Sequence, residues 1–134
     1  MAIDLSQYIF VGLVSKLNPS EGTVVVTRPD KDNRQTAPLR VLQRGTKATK
    51  EYWMPAIDDQ VICILLPNIS GKGPSEGYVM GAVYSDIDPP VENGATTRSL
   101  NFPDGSLIQY KNGDINIHAA GNVNITSGGV INLN

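Results

Sequence analysis

Few side chains in this sequence have the spacing that catalysis requires. The carboxylate pairs are Asp58 with Asp59 and Asp86 with Asp88, and both pairs lie on turn-like segments. Glycoside hydrolysis needs two carboxylates held across a substrate cleft. The sequence has no stretch around either pair that is long enough to form a lysozyme-sized domain with such a cleft. His118 is the single histidine, so no Ser/His/Asp or Cys/His arrangement replaces the carboxylates. The sequence therefore predicts a protein that is not an enzyme and that needs no cofactor.

The only cysteine is also unsuited to chemistry. Cys63 lies inside the apolar run Val61–Leu66, which favours a buried free thiol. No intrachain disulfide can form. The N-terminus has no basic segment followed by an apolar one, so we expect neither a secretion signal nor a membrane span.

Composition argues against a nucleic-acid partner. The 134 residues are 40% hydrophobic and 18% charged, with a formal net charge of -2. Such a chain offers no basic field for phosphates. The sequence holds one Trp, two Phe and five Tyr, which is little material for stacking bases. A small barrel that binds single-stranded nucleic acid remains the lesser alternative function.

The secondary structure is predicted to consist of strands throughout, so the predicted fold class is all-β. Any functional site would therefore be positioned by strands and the turns between them. Short β-rich runs separated by turn residues fill the first 84 positions. Five strands in that length favour a closed barrel, which leaves no exposed sheet edges. We predict a five-stranded OB-fold domain over residues 1–84, with an SH3-like barrel as the alternative. The predicted strands are Ile9–Leu17, Thr23–Arg28, Ala37–Leu42, Gln60–Leu66 and Gly77–Tyr84.

A linker is predicted over residues 85–101. This stretch is polar, and it holds the tandem prolines Pro89 and Pro90, which favour an extended and rather stiff chain. It separates the barrel from residues 102–134, whose composition is different.

Residues 102–134 carry an eight-residue repeat. Its predicted turns are four glycines spaced eight apart, where a residue without Cβ can bend the strand. Aliphatic side chains recur two and four residues after the glycines and alternate with polar ones. The glycines are Gly105, Gly113, Gly121 and Gly129, and the predicted core is Leu107, Ile115, Ile117, Val123, Ile125, Ile131 and Leu133.

One chain has too few of these side chains to bury a core alone. About two apolar residues per octad do not fill a single-chain solenoid, and a disordered tail would have no reason to keep its phase over four octads. Several copies wound about one axis would give each short strand hydrogen-bond partners. We therefore predict an intertwined oligomer, and a single-chain solenoid or an unstructured tail are the alternatives.

The chain resembles the phage baseplate assembly protein V family of tail spikes, which is related to the spike part of type VI secretion valine-glycine repeat proteins. The resemblance covers nearly the whole length. It rests on the hairpin Gly12–Val26, on Trp53-Met54-Pro55 leading into Asp59-Gln60-Val61, on the stretch from Gly77 to Tyr84 running on to Pro89-Pro90, and on Phe102–Tyr110.

The resemblance implies a homotrimer in which an N-terminal OB-fold precedes a C-terminal triple-stranded intertwined β-helix. It implies a structural role as the membrane-piercing central spike of a contractile tail baseplate, attached to a hub protein of the tail tube and driven into the target cell envelope. The protein would be made in the bacterial host cytoplasm and reside in the tail baseplate of a virion or related particle. A phage-tail-like bacteriocin or another contractile injection system is the alternative parent.

Two residues, Trp53 and His118, are candidates for special contacts. Trp53, next to Met54-Pro55, is a candidate hub contact or a residue that packs the domain. Some members of the family end in a His-x-His pair that binds iron, whereas this chain has only His118, in the outer phase of the repeat with Tyr110 and Thr126. We expect His118 to face solvent and predict no metal site.

The last eight-residue repeat indicates that a separate protein binds at that end of the oligomer. The aliphatic phase continues to Leu133 without a charged cap, which would leave a blunt apolar end on the oligomer. We expect a separate spike-tip protein to dock there, on Ile131, Leu133 and Asn134.

Overall fold

The computed structural model describes residues 4–68 and 74–134 of the chain. Within them the chain divides into two compact units, Met1–Pro89 and Pro90–Asn134. The division falls inside the predicted linker. The strands of the first unit are β1 (Ile9–Asn18), β2 (Thr23–Arg28), β3 (Arg34–Gln35), β4 (Leu39–Val41), β5 (Gln60–Pro67) and β6 (Pro74–Ala82), and those of the second are β7 (Arg98–Asn101), β8 (Leu107–Lys111) and β9 (Asp114–His118).

The first unit is a closed five-stranded barrel. Its strands pair in the order β1, β5, β6, β4, β2, and β2 then pairs with β1 to close the circle. All of these pairings are antiparallel except β4 with β6, which is parallel. This Greek-key order, with β3 as a short addition beside β2, is that of an OB-like barrel. The prediction of an all-β chain with an N-terminal five-stranded barrel is confirmed.

The barrel interior follows from alternation along the strands. In β2, and in β1 from Ile9 to Val14, every second residue is buried, because successive side chains of a strand point to opposite faces. Gly12 lies on the inner side of β1, where a Cβ would collide with Val26 and with the backbone of Thr27. The core consists of Phe10, Val14, Val24, Val26, Leu39, Val41, Val61, Cys63 and Val79.

One charged residue is part of this interior. Arg28 is only 7% exposed, and its guanidinium lies 3.7 Å from the centre of the Phe10 ring. It donates hydrogen bonds to both carboxylate oxygens of Asp30, at 3.3 and 2.9 Å, and to the backbone carbonyl of Ser6 at 2.6 Å. A charge can be buried when it is paired in this way. Arg28 thereby ties the 3-10 turn Leu5–Gln7 to the end of β2.

The second unit is a three-stranded antiparallel sheet followed by a segment without regular secondary structure. The strands pair in the order β7, β8, β9, and β7 occupies the last four residues of the predicted linker. Residues 119–134, all of them described, form neither helix nor strand.

Candidate assembly surface

The sheet of the second unit is built around a tight turn. Lys111 pairs with Asp114, and the two residues between them, Asn112 and Gly113, have φ values of 52° and 89°. Positive φ at both central positions defines the turn whose twist matches two antiparallel strands, and Asn-Gly is its preferred sequence. The β8–β9 hairpin is therefore specified locally.

Pairing in this sheet collects apolar side chains on one face. Directly paired residues of an antiparallel sheet share a face, so Ile108 lies with Ile117, and Tyr110 with Ile115. Leu100 of β7 pairs with Ile108 and joins them. Ile115 is 75% exposed and Ile117 is 61% exposed. We call Leu100, Ile108, Tyr110, Ile115 and Ile117 the apolar sheet face.

Leu107 lies on the opposite side of the sheet from Ile115 and Ile117. It pairs with His118, and Gln109 pairs with Asn116. The eight-residue phase predicts that Leu107 and Ile115 share the core of an oligomer, whereas within the single chain they lie on opposite faces of the sheet. An antiparallel hairpin with a two-residue turn places residues eight apart on opposite faces, which explains the difference.

The opposite face is polar and hydrogen-bonded. Gln109 donates to Glu92 at 2.7 Å and accepts from Asn116 at 3.2 Å. Lys111 forms an ion pair with the same Glu92 at 3.3 Å. Gln109 stands four residues after Gly105, a position that is aliphatic in the other octads. Its amide has partners within its own chain.

The aliphatic side chains of residues 119–134 continue the eight-residue pattern, but none of them is buried. Val123, Ile125, Ile131 and Leu133 are each at least half exposed, and Leu133 reaches 91%. No backbone group of residues 121–134 bonds to another backbone group within the described parts of the chain. The one hydrogen bond recorded there joins the Gly129 N–H to the Ser127 hydroxyl, at 3.0 Å. This segment has the sequence of a buried strand repeat and no strand partner.

The four repeat glycines adopt two conformations. Gly105 and Gly113 have φ values of 90° and 89°, which L side chains rarely adopt. The chain also bends at residues 120–121 and at 128–129, but Gly121 and Gly129 are not among its positive-φ residues.

His118 and its neighbourhood do not form a metal-binding group. His118 is exposed at the end of β9. Hydrogen bonds from Ser106 hold the pKa of Asp104 below its usual value, and the nearby His118 adds a smaller electrostatic effect in the same direction. Among the described residues, no three His, Cys, Asp or Glu side chains come together as metal ligands.

Trp53 is engaged inside the first unit. Its indole N–H donates to the Leu42 carbonyl at 2.8 Å, and Gln43 bonds to both its backbone N–H and its carbonyl. The ring packs against the core as a partly buried side chain. These contacts fasten the long segment between β4 and β5 onto the barrel, which is the domain-packing role considered for this residue.

The two acidic pairs lie on turns, and the cysteine is buried. Asp59 accepts a hydrogen bond from the Ala56 backbone at 2.8 Å, and the Asp88 N–H donates to the Ser85 hydroxyl at 3.1 Å, so both acidic pairs belong to turns. Burial raises the pKa of the Cys63 thiol to about 12, which leaves it protonated and unreactive.

A cleft of about 650 Å³ opens in the barrel beside β3. Lys31, Arg34 and Arg40 lie along it with the buried Arg28, but no aromatic side chain does. Cations without stacking rings can hold an anion but offer no platform for bases.

No protein-family model matches this chain, and no curated protein matches it. Among the described residues, no helix is both long enough and apolar enough to span a membrane.

Proposed function

We propose that three copies of this chain assemble into the central spike of a contractile tail baseplate. The observation that carries the proposal is the state of residues 119–134. They continue the eight-residue aliphatic pattern, yet Val123, Ile125, Ile131 and Leu133 are at least half exposed. No backbone group of residues 121–134 bonds to another backbone group within the described chain. Strands from two other copies would supply both the hydrogen bonds and the apolar contacts.

The proposed trimer is a triple-stranded intertwined β-helix that begins after the barrel. Its interior would take Ile115, Ile117, Val123, Ile125, Ile131 and Leu133, and the turns would fall at the repeat glycines. Leu107, on the polar side of the β8–β9 hairpin, would lie at the entry to the helix. Three is the number that the family resemblance implies, and a closed symmetric assembly leaves no strand edge free.

The proposed action is mechanical. A wound needle with closed edges resists bending and splaying, so it can transmit the thrust of a contracting sheath into the target cell envelope. The barrel unit joins the needle to a hub protein of the tail tube. A separate tip protein docks on Ile131, Leu133 and Asn134. Ile131 and Leu133 expose apolar surface in the single chain, and Asn134 is exposed beside them. The parent particle is a phage or, in the alternative, a bacteriocin or another contractile injector.

Multi-angle light scattering of the purified chain tests the assembly. The expected mass is three times the 14.4 kDa of the chain, and electron microscopy should show a rod attached to a wider head made of barrels. A monomer at every concentration would refute the proposal. Electron microscopy of the parent particle distinguishes the two alternatives, because a phage carries a capsid and a bacteriocin does not.

The second candidate is a nucleic-acid-binding barrel, because Arg34 and Arg40 line an open cleft. The absence of aromatic residues from that lining and the net charge of -2 oppose it. Fluorescence anisotropy with a labelled oligothymidine decides the question: salt-sensitive binding that is lost in R34E/R40E would favour this candidate over the spike.

A further inference from the structure

The barrel has an apolar outer surface in addition to its core. On β1, β5 and β6, the residues between the core positions point outwards, and most of them are large and aliphatic. Of the six residues that define it, five are between 36% and 51% exposed, and Ile64 is partly buried. We call this set the barrel outer face: Ile9, Val11, Leu13, Ile62, Ile64 and Met80.

The strand register makes this surface continuous. Val11 pairs with Ile62, and Ile62 pairs in turn with Gly81, forming one row across three strands. Ile9 and Ile64 form the next row together with Tyr78. A Cβ added at Gly81 would meet nothing within 4 Å. The end of the first row at Gly81 therefore has no side chain and is not obstructed by neighbouring atoms.

No charge interrupts the barrel outer face. Residues 9–15 of β1, 60–67 of β5 and 77–82 of β6 include no Asp, Glu, Lys or Arg. A sheet with one face in water normally alternates apolar and polar side chains, whereas strands covered on both sides are apolar throughout. These segments are close to the second pattern, although five of the outer residues are 36% to 51% exposed in the described chain. Beyond the segments, β1 includes Lys16 and β6 includes Glu76.

The barrel outer face is small for a binding surface that acts alone. A standard protein interface uses roughly 20–30 residues from each partner, and this face offers six. Two free barrels would therefore associate weakly through it. The situation changes when the barrels are held together by another part of the chain, because a short tether gives an effective concentration on the order of millimolar.

We propose that the barrel outer face packs against the same face of the two other copies around a threefold axis. This inference rests on the proposed trimer, in which the C-terminal repeat supplies the tether. Residues near a symmetry axis meet their own copies, so a charge there would face two like charges. A face without charge meets that requirement, and its apolar side chains gain burial from both neighbours.

The test is disulfide trapping in the full-length chain with Val11→Cys. Cys63 is buried and its thiol pKa is raised to about 12, so it does not compete at neutral pH. The control is Ser20→Cys, which lies in the exposed turn between β1 and β2. Ile62→Cys, in the same row as Val11, repeats the measurement if Val11→Cys folds poorly.

We expect mild oxidation to join two of the three Val11→Cys chains at least about tenfold faster than it joins Ser20→Cys chains, as measured on non-reducing gels. Light scattering is performed on each sample. If wild type and variants are trimers but both Val11→Cys and Ile62→Cys react no faster than Ser20→Cys, this inference is overturned and the proposed spike stands. If wild type is a monomer, the spike proposal fails together with it.

Discussion

Replacing Ile125 by Asp should prevent trimer formation. Ile125 is 68% exposed in the single chain, so about two thirds of its surface is available for burial by the other copies. Complete burial of such a side chain contributes about 1.5–3 kcal/mol, which leaves roughly 1–2 kcal/mol per chain and about 3–6 kcal/mol per trimer. A factor of ten corresponds to about 1.4 kcal/mol, so loss of these contacts lowers the association constant by roughly 10²–10⁴-fold.

The introduced carboxylate adds to this loss, because three of them would have to give up water in the proposed interior. The single chain should be affected little, since the position is exposed there. Light scattering from micromolar to millimolar protein measures the shift. Asn124→Asp is the matched control, because it adds the same charge one residue away in the polar phase of the repeat. A trimer of Ile125→Asp as tight as wild type would show that this side chain is not in the interior.

Three further variants or reactions check the fold. Arg28→Met should lower the free energy of unfolding by about 2 kcal/mol at pH 7, since bonds from a charged donor contribute about 1.5–3 kcal/mol. Because Arg28 lowers the pKa of Asp30 from 3.8, part of the difference from wild type should fade as pH falls below 3.8; equal differences in denaturant melts at pH 7 and pH 2 would contradict this. Cys63 should not react with a thiol reagent at pH 8 until the chain is unfolded, and rapid native labelling would show that the barrel opens. Gly113→Ala should cost about 1 kcal/mol more than Gly121→Ala in thermal unfolding, because only Gly113 has positive φ; equal losses would contradict the two glycine conformations.

The barrel could be predicted because its signals are local and repeated. Alternation along β1 and β2 marks an inside and an outside, and turn residues separate the runs. The predicted strand Thr23–Arg28 matches β2 residue for residue, and the run Ala37–Leu42 shortens to Leu39–Val41. The alternation and the turn residues do not indicate which residues far apart in the sequence contact each other. Nothing near Arg28 in sequence indicates that it bonds to Ser6 and covers Phe10.

The β8–β9 hairpin could have been recognised from Asn112-Gly113, which is a strong local hairpin signal. The eight-residue period drew attention to positions that share a phase along one chain. A hairpin reverses the chain, so the shared face is set by pairing and not by phase. For this reason Ile108 and Tyr110, which are outside the predicted core positions of the repeat, lie beside Ile115 and Ile117.

The Asn112-Gly113 turn also bears on the order of events during assembly. A hairpin closed by two residues forms in about 1–10 μs, whereas three chains must meet by diffusion, at a rate that depends on concentration. In the proposed trimer the hairpin would therefore form before the chains wind together. Successive octads are similar enough for one chain to slip by a whole repeat against its neighbours. A preformed hairpin at the start of the segment would give all three chains of the proposed trimer the same origin, from which winding could proceed in one alignment.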